Sequence, residues 1–198
     1  MNAMIRTDSG VSFDRLFQEY RDGFGSCIDN ANAGDTWLDD DCTSDFWLGN
    51  RNFFLLTDKN GPFQLLVSLE DADGNVAHAY YKRYVVKSEI VWRYALYIQG
   101  YAGTSGDFFQ ALHGMKFTTK DEDNDLEFLQ NCATPGRGGW WYNTCGGSPL
   151  NMRIMIPKSF SEIIWNTWPG TGNAVSKTRM MIKPNLGGFS LQIFVFTI

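Results

Sequence analysis

Histidine is nearly absent from this 198-residue chain: there are two, His78 and His113. Zinc sites need Cys and His clustered at short spacing, and neither histidine has such neighbours. His113, just before Gly114, reads as a hydrogen-bonded structural residue. The chain also lacks Gly-x-Ser-x-Gly, His-Glu-x-x-His and a phosphate-binding loop, so nothing points to an enzyme. Positive charge is in deficit, with 17 Lys and Arg against 22 Asp and Glu, a formal charge of −5 and a pI near 5.0. That balance argues against general binding to nucleic acid or to anionic membrane. No stretch reaches the roughly 18 consecutive apolar residues of a membrane span. Met1 to Ile5 carries no apolar leader segment. Repeats and low-complexity tracts are missing, which excludes a solenoid.

What remains suits one domain of ordinary size. Seven Trp and fifteen Phe supply a core, and twenty Gly imply many turns. Four cysteines, an even number, fit two disulfides in an oxidising compartment.

The most informative stretch is Lys120 to Cys145, KDEDNDLEFLQNCATPGRGGWWYNTC. Asp121, Asp123 and Asp125 alternate, and alternation in a turn lets carboxylates converge on one hard cation; Ca²⁺ takes about six to eight oxygens. The EF-hand pattern does not fit, because Leu126 stands where its turn glycine belongs and Cys132 where its bidentate Glu belongs. A solvated acidic turn is the competing reading. Cys132 and Cys145 frame the loop, and a disulfide between them is favoured over zinc ligation or buried thiols. Trp140, Trp141 and Tyr142 follow a glycine-rich bend; core packing is the expectation for the two tryptophans.

These residues resemble the C-terminal globular domain of fibrinogen and its relatives, the ficolins, tachylectins, angiopoietins and tenascins. The resemblance rests on DFWLGNRNFFLLT (45–57), LLVSLEDADGNVAHAYYKRYVV (65–86), YALYIQGYAGTSGD (94–107), GMKFTTKDEDND (114–125), NCA…GGWWYNTC (131–145), IIWNTWPG (163–170) and SKTRMMIKP (176–184), in family order. It implies an α+β fold: a twisted, mainly antiparallel sheet with short helices and a long irregular calcium- and ligand-binding subdomain. It covers roughly residues 5–184, without the small N-terminal subdomain usual in the family, and leaves 185–198 as an extra C-terminal tail.

Carried over residue by residue, the resemblance implies a Ca²⁺ site from the side chains of Asp123 and Asp125 and the carbonyls of Glu127 and Leu129. Phe128 or Gln130 is the alternative carbonyl donor, because the gap to Cys132 is one residue longer here. Asp121 would tune the local charge. A ligand pocket is implied beside Cys145, with the N–H groups of Thr144 and Cys145 facing a ligand oxygen. The sugar-binding members' His is replaced by Gly146 and a pocket aromatic by Gly136, so the acetyl-specific wall is largely lost. The resulting expectation is a secreted Ca²⁺-dependent lectin-type module of innate-immune recognition, binding glycans or other surface groups. The alternative is a protein–protein module of the fibrin-polymerisation or receptor-ligand kind. Oligomerisation is expected in a longer parent.

Elsewhere, Phe13, Leu16, Phe17 and Tyr20 share one helical face, so a helix is expected from Asp14 to Tyr20, with Ser12 as N-cap and Gly23 near its end. Residues 26–44 depart from the family as an Asp- and Asn-rich insert that Cys27 and Cys42 could staple. Phe63 to Val86 reads as a hairpin turning at Asp73-Gly74. A strand is expected from Trp92 to Gly100, then a loop and a short helix to Leu112, capped by Thr104 or Ser105. The tail FSLQIFVFTI is β-prone.

Overall fold

Strict alternation makes the central strand. Phe63, Leu65, Val67 and Leu69 are buried while Gln64, Leu66, Ser68 and Glu70 stay partly exposed, the period-2 pattern of a sheet with one face on the core. The computed structural model describes residues 1–7, 10–25, 44–134, 137–145 and 175–185. Within them lies a seven-stranded antiparallel sheet in the order β2-β3-β1-β7-β4-β5-β6. The strands are β1 (Asn2–Arg6), β2 (Phe24–Gly25), β3 (Phe46–Trp47), β4 (Phe63–Asp71), β5 (Val76–Val86), β6 (Leu96–Gly103) and β7 (Val175–Pro184). The helices are short: α1 (Phe17–Asp22), α2 (Asn50–Phe54), continued by a wide turn over Leu55–Lys59, and α3 (Glu89–Trp92), with a 3₁₀ turn at Phe109–Leu112. The fold class is the α+β architecture expected.

The β4–β5 hairpin turns where the Asp-Gly pair places it. Gly74 takes φ +82°, and Asp71 Oδ1 accepts the N–H groups of Asp73 and Asn75 at 2.9 and 2.8 Å. One extra residue in β5 shifts the register between Phe63↔Tyr84 and Leu65↔Tyr81. Such a bulge moves the side-chain phase by one, so Arg83 and Val85 fall on the face away from Tyr84 and Val86. β7 is inserted between β1 and β4 and pairs with both.

Three local expectations shift. Helix α1 runs over Phe17–Asp22 rather than from Asp14. Ser12 Oγ accepts from Asp14 N at 3.2 Å and makes a turn ahead of the helix. The start is set by Glu19, which takes the Leu16 N–H at 2.8 Å. Leu16 is thus the N-cap and exposed, leaving Phe13, Phe17 and Tyr20 on the buried face. Residues 89–92 form a helical turn, and β6 begins at Leu96. The 3₁₀ turn is capped by Asp107, whose Oδ1 accepts from Gln110 N at 3.2 Å; Thr104 is engaged with the His78 N–H instead. His113 Nδ1 lies 2.8 Å from the Ile98 carbonyl oxygen, the structural role expected.

Trp47 sits at the centre of the core on the α1 side. Its ring lies 5.2–6.4 Å from those of Tyr20, Phe53, Phe117, Trp140 and Trp141, in the tilted and edge-on geometries that aromatic quadrupoles favour. At the β1 edge, Arg6 and Asp45 form a buried ion pair, Nη1 to Oδ2 2.7 Å. Asp45 Oδ1 also accepts the Thr7 N–H and hydroxyl at 2.6 and 2.8 Å.

Candidate functional site

The long loop from Phe117 to Cys145 is built on the aromatic core. Thr118 and Trp140 exchange backbone hydrogen bonds at 2.9 and 3.0 Å. Trp141 donates its indole N–H to the Tyr94 carbonyl at 2.7 Å. Trp140, Trp141 and Tyr142 are fully buried, so all three rings are scaffold. Gly139 is required by the packing: a Cβ there would lie 2.7 Å from the rings of both Phe117 and Tyr20. Gly139→Ala is expected to destabilise by about 1–3 kcal/mol through overpacking; urea unfolding within about 0.5 kcal/mol of wild type, the spread of neutral surface substitutions, would contradict it.

Three amides lace the acidic segment to this scaffold. Asn124 Nδ2 donates to the Phe117 carbonyl at 2.9 Å, Asn131 Nδ2 to that of Thr119 at 2.9 Å, and Leu126 N to that of Asn143 at 3.1 Å. The alternating aspartates then divide. Asp121 turns back to α1, its Oδ1 accepting the Phe17 N–H at 3.0 Å and the Thr119 hydroxyl at 2.7 Å. It fixes the first turn of α1, a structural role that the sequence reading did not anticipate. Asp125 accepts the N–H of Glu127 on Oδ1 at 2.8 Å and that of Cys132 on Oδ2 at 2.9 Å. Asp123 lies beside it. Lost hydration, then the facing Asp125 carboxylate, push the Asp123 pKa above its ordinary value.

This donor set fits a hard cation in chemistry. The nearby Asp125 carboxylate disfavours the charged form of Asp123, a strain that a cation would relieve. Among the described residues no donor engages the main-chain carbonyls of 127–130, which include those of Glu127 and Leu129 and both alternatives. The set is sparse: the described residues hold no group of three His, Cys, Asp or Glu side chains suited to a metal, so carbonyls and water would supply the other oxygens.

Cys132 and Cys145 are joined by a disulfide, Cα to Cα 4.8 Å. Thr144 is exposed, and the Cys145 carbonyl accepts from Arg137 Nη1 at 2.8 Å. Gly136, Gly146, Cys27 and Cys42 lie outside the described residues, as does the tail beyond Asn185. The main-chain tie from Leu126 to Asn143 left no trace in the sequence, since it depends on carbonyl placement. Also missed was what the Leu-Glu-Phe-Leu run does with its side chains. Phe128 is 98% and Leu129 93% exposed, with Leu126 beside them more than half exposed.

The family model for the C-terminal globular domain of fibrinogen beta and gamma chains matches residues 3–185. Fibrinogen-like protein 1 of Bos taurus is 32% identical over 195 residues, covering 91% of this chain and 58% of that protein. Angiopoietin-2 of Mus musculus is 33% identical over 184 residues, covering 90% of this chain and 34% of that protein. The chain therefore spans about a third to under three fifths of these relatives. The fibrinogen-like globe domain of human ANGPTL2 superposes with a TM-score of 0.77 at 33% identity, covering 93% of this chain and 79% of that one. Lamprey fibrin D-dimer, complexed with the peptide Gly-His-Arg-Pro-amide, gives 0.79 at 26% identity, covering 96% and 63%.

Proposed function

The chain belongs to the family of the fibrinogen beta and gamma C-terminal globular domain, and from that premise we propose that it is an extracellular binding module that recognises a protein partner through a calcium-braced loop. The observation that carries this reading is the exposure of Phe128 and Leu129 on the loop of Asp123 and Asp125. Two large apolar side chains standing fully in water cost solvation, and such groups mark contact surfaces. Bound Ca²⁺ would neutralise the carboxylate pair and hold the loop, with Asp123, Asp125 and the carbonyls of Glu127 and Leu129 as its ligands. The lamprey fibrin structure, which holds a peptide, supports a peptide-like partner. The disulfide supports an oxidising, extracellular setting. Among the described residues no helix is long and apolar enough to cross a membrane. Binding, and no catalytic step, is what the loop is built for.

The glycan reading has less support. The three rings next to the Cys132–Cys145 bridge, Trp140, Trp141 and Tyr142, are buried and offer no stacking face to a sugar in the pocket that the resemblance implies. The test pairs two surfaces. On an N-acetylglucosamine matrix with calcium the protein is expected to flow through. Against a panel of immobilised extracellular receptor domains it is expected to show a calcium-dependent hit that Phe128→Asp with Leu129→Asp removes without changing the melting temperature. Retention on the sugar matrix with elution by free N-acetyl sugar would reverse the assignment.

Metal binding is checked separately. Calcium at about a hundredfold over Kd should stabilise the wild type by about 2.7 kcal/mol. Asp123→Ala and Asp125→Ala should each lose that shift, while Asp71→Ala, in the β4–β5 turn, should keep it. An unchanged shift in both loop variants would place the ion elsewhere.

A further inference from the structure

We propose a second docking surface, at the β5–β6 hairpin tip, for an extended protein segment that carries both carboxylates and apolar side chains. It uses none of the calcium loop's exposed residues and does not rest on the reading given to that loop.

The surface has three contiguous parts. The first is the hairpin tip itself, where Ile90 is 93% and Val91 67% exposed, with Trp92 nearly half exposed beside them. These three residues make up most of the single turn of α3 and give it no buried face. A turn whose apolar side chains stay this exposed gains little from them in folding. The second part is a cavity of about 240 Å³ on the adjoining sheet face, lined by Arg83, Val85, Lys87, Tyr97 and Gln99. Trp92 and Tyr97 link tip and cavity, their rings edge-on at 6.4 Å. The third part is charge. Lys87 is committed to Asp58 at 2.8 Å and lies over the Tyr97 ring. Arg83, paired through its backbone with Gln99, is exposed, and among the described residues its side chain has no ion pair or hydrogen bond. An uncompensated guanidinium beside an aromatic wall, on a chain of net charge −5, is a local cationic spot suited to a carboxylate.

The backbone supplies an independent indication. Arg93 and Tyr94, directly after Trp92, both adopt left-handed conformations, φ +46° and +56°. Side-chain-bearing residues rarely hold this region, and two in succession persist only where the surroundings enforce them. Here the Tyr94 hydroxyl donates to Glu89 Oε2 at 2.8 Å, Phe117 N to the Arg93 carbonyl at 2.9 Å and the Trp141 indole to that of Tyr94. The core thus clamps a strained bend whose outward product is the display of Ile90, Val91 and Trp92. Charge complementarity selects the partner: apolar side chains against Trp92 and Val91, a carboxylate on Arg83.

The experiment is fluorescence anisotropy of a labelled synthetic peptide alternating glutamate with leucine and phenylalanine, titrated with the full chain. A counterpart with lysine in place of glutamate is the comparison. The glutamate peptide should bind, more weakly as salt rises, and Arg83→Glu and Trp92→Ala should each weaken it by about tenfold or more, the scale of losing a desolvated charge or an aromatic anchor. Chelation of calcium should leave this binding unchanged, which separates the surface from the loop. Both substitutions are at the surface, and circular dichroism checks that they fold. Equal affinity of the lysine peptide, equal affinity of Arg83→Glu, or no binding by the wild type would overturn the proposal. So would a dimer in sedimentation velocity that Trp92→Ala dissolves, since the occupant would then be a second copy of this chain.

Discussion

Asp45→Ala should cost about 3–5 kcal/mol, as much as truncating a large core aromatic. Both members of its ion pair are out of solvent, at 4% and 0% side-chain exposure. Removing one partner leaves the other charge buried without its counter-ion, and that uncompensated charge, more than the lost attraction, sets the magnitude. Arg6 would keep only the Val11 carbonyl at 3.1 Å and the face of Phe13. Its Nε is already without a partner among the described residues. Thr7 would lose the acceptor of both its N–H and its hydroxyl. Urea unfolding reads the effect. Replacing both members together, Arg6→Met with Asp45→Leu, should recover much of the loss, because apolar pairs of similar volume often match buried ion pairs. A loss below about 1 kcal/mol in Asp45→Ala, the range of exposed pairs, would show that the pair is hydrated in solution.

The second large effect is at the loop. Replacing Cys132 and Cys145 together by alanine is expected to cost about 3 kcal/mol, the chain-entropy figure for a loop of this size; the sequence separation is 13. The consequence goes beyond stability. The Cys132 N–H donates to Asp125 Oδ2, so the bridge anchors one oxygen of the carboxylate proposed to bind calcium. Loosening Cys132 lets that carboxylate turn, and the calcium-dependent melting shift should shrink along with the baseline stability. A variant that melts lower but shows an undiminished calcium shift would uncouple bridge from metal.

Patterns repeating at fixed periods were legible from the sequence. The alternation from Phe63 to Leu69 and the Asp73-Gly74 turn locate the hairpin, because side-chain period and turn conformation are local properties. The start of α1 was not legible: Ser12 is a good cap by type, but the first turn is claimed by Glu19 and by Asp121, more than a hundred residues away. The same contact explains the different fate of three aspartates with one spacing. Periodicity cannot say which of them a distant N–H will recruit. The sequence places the start of a strand at Trp92, since aromatic residues suit one, whereas Trp92 closes a helical turn and the strand begins at Leu96. The two left-handed residues that follow break that pattern for a reason held in the core, at Phe117 and Trp141. The loop carbonyls of Glu127 and Leu129 belong to the backbone and leave no signature in residue type.

The insertion of β7 between β1 and β4 has a kinetic consequence. Without residues 175–184 the pairing ladder divides into two ribbons, β2-β3-β1 and β4-β5-β6, whose facing rims are satisfied by β7 alone among the described strands. Closure must join Asn2 to Met181 and Glu70 to Lys177 across most of the polypeptide, the non-local kind of pairing that slows folding to about milliseconds or longer. β7 is therefore a lane whose loss would leave two open strand edges within the sheet, the kind of border that invites pairing with another chain.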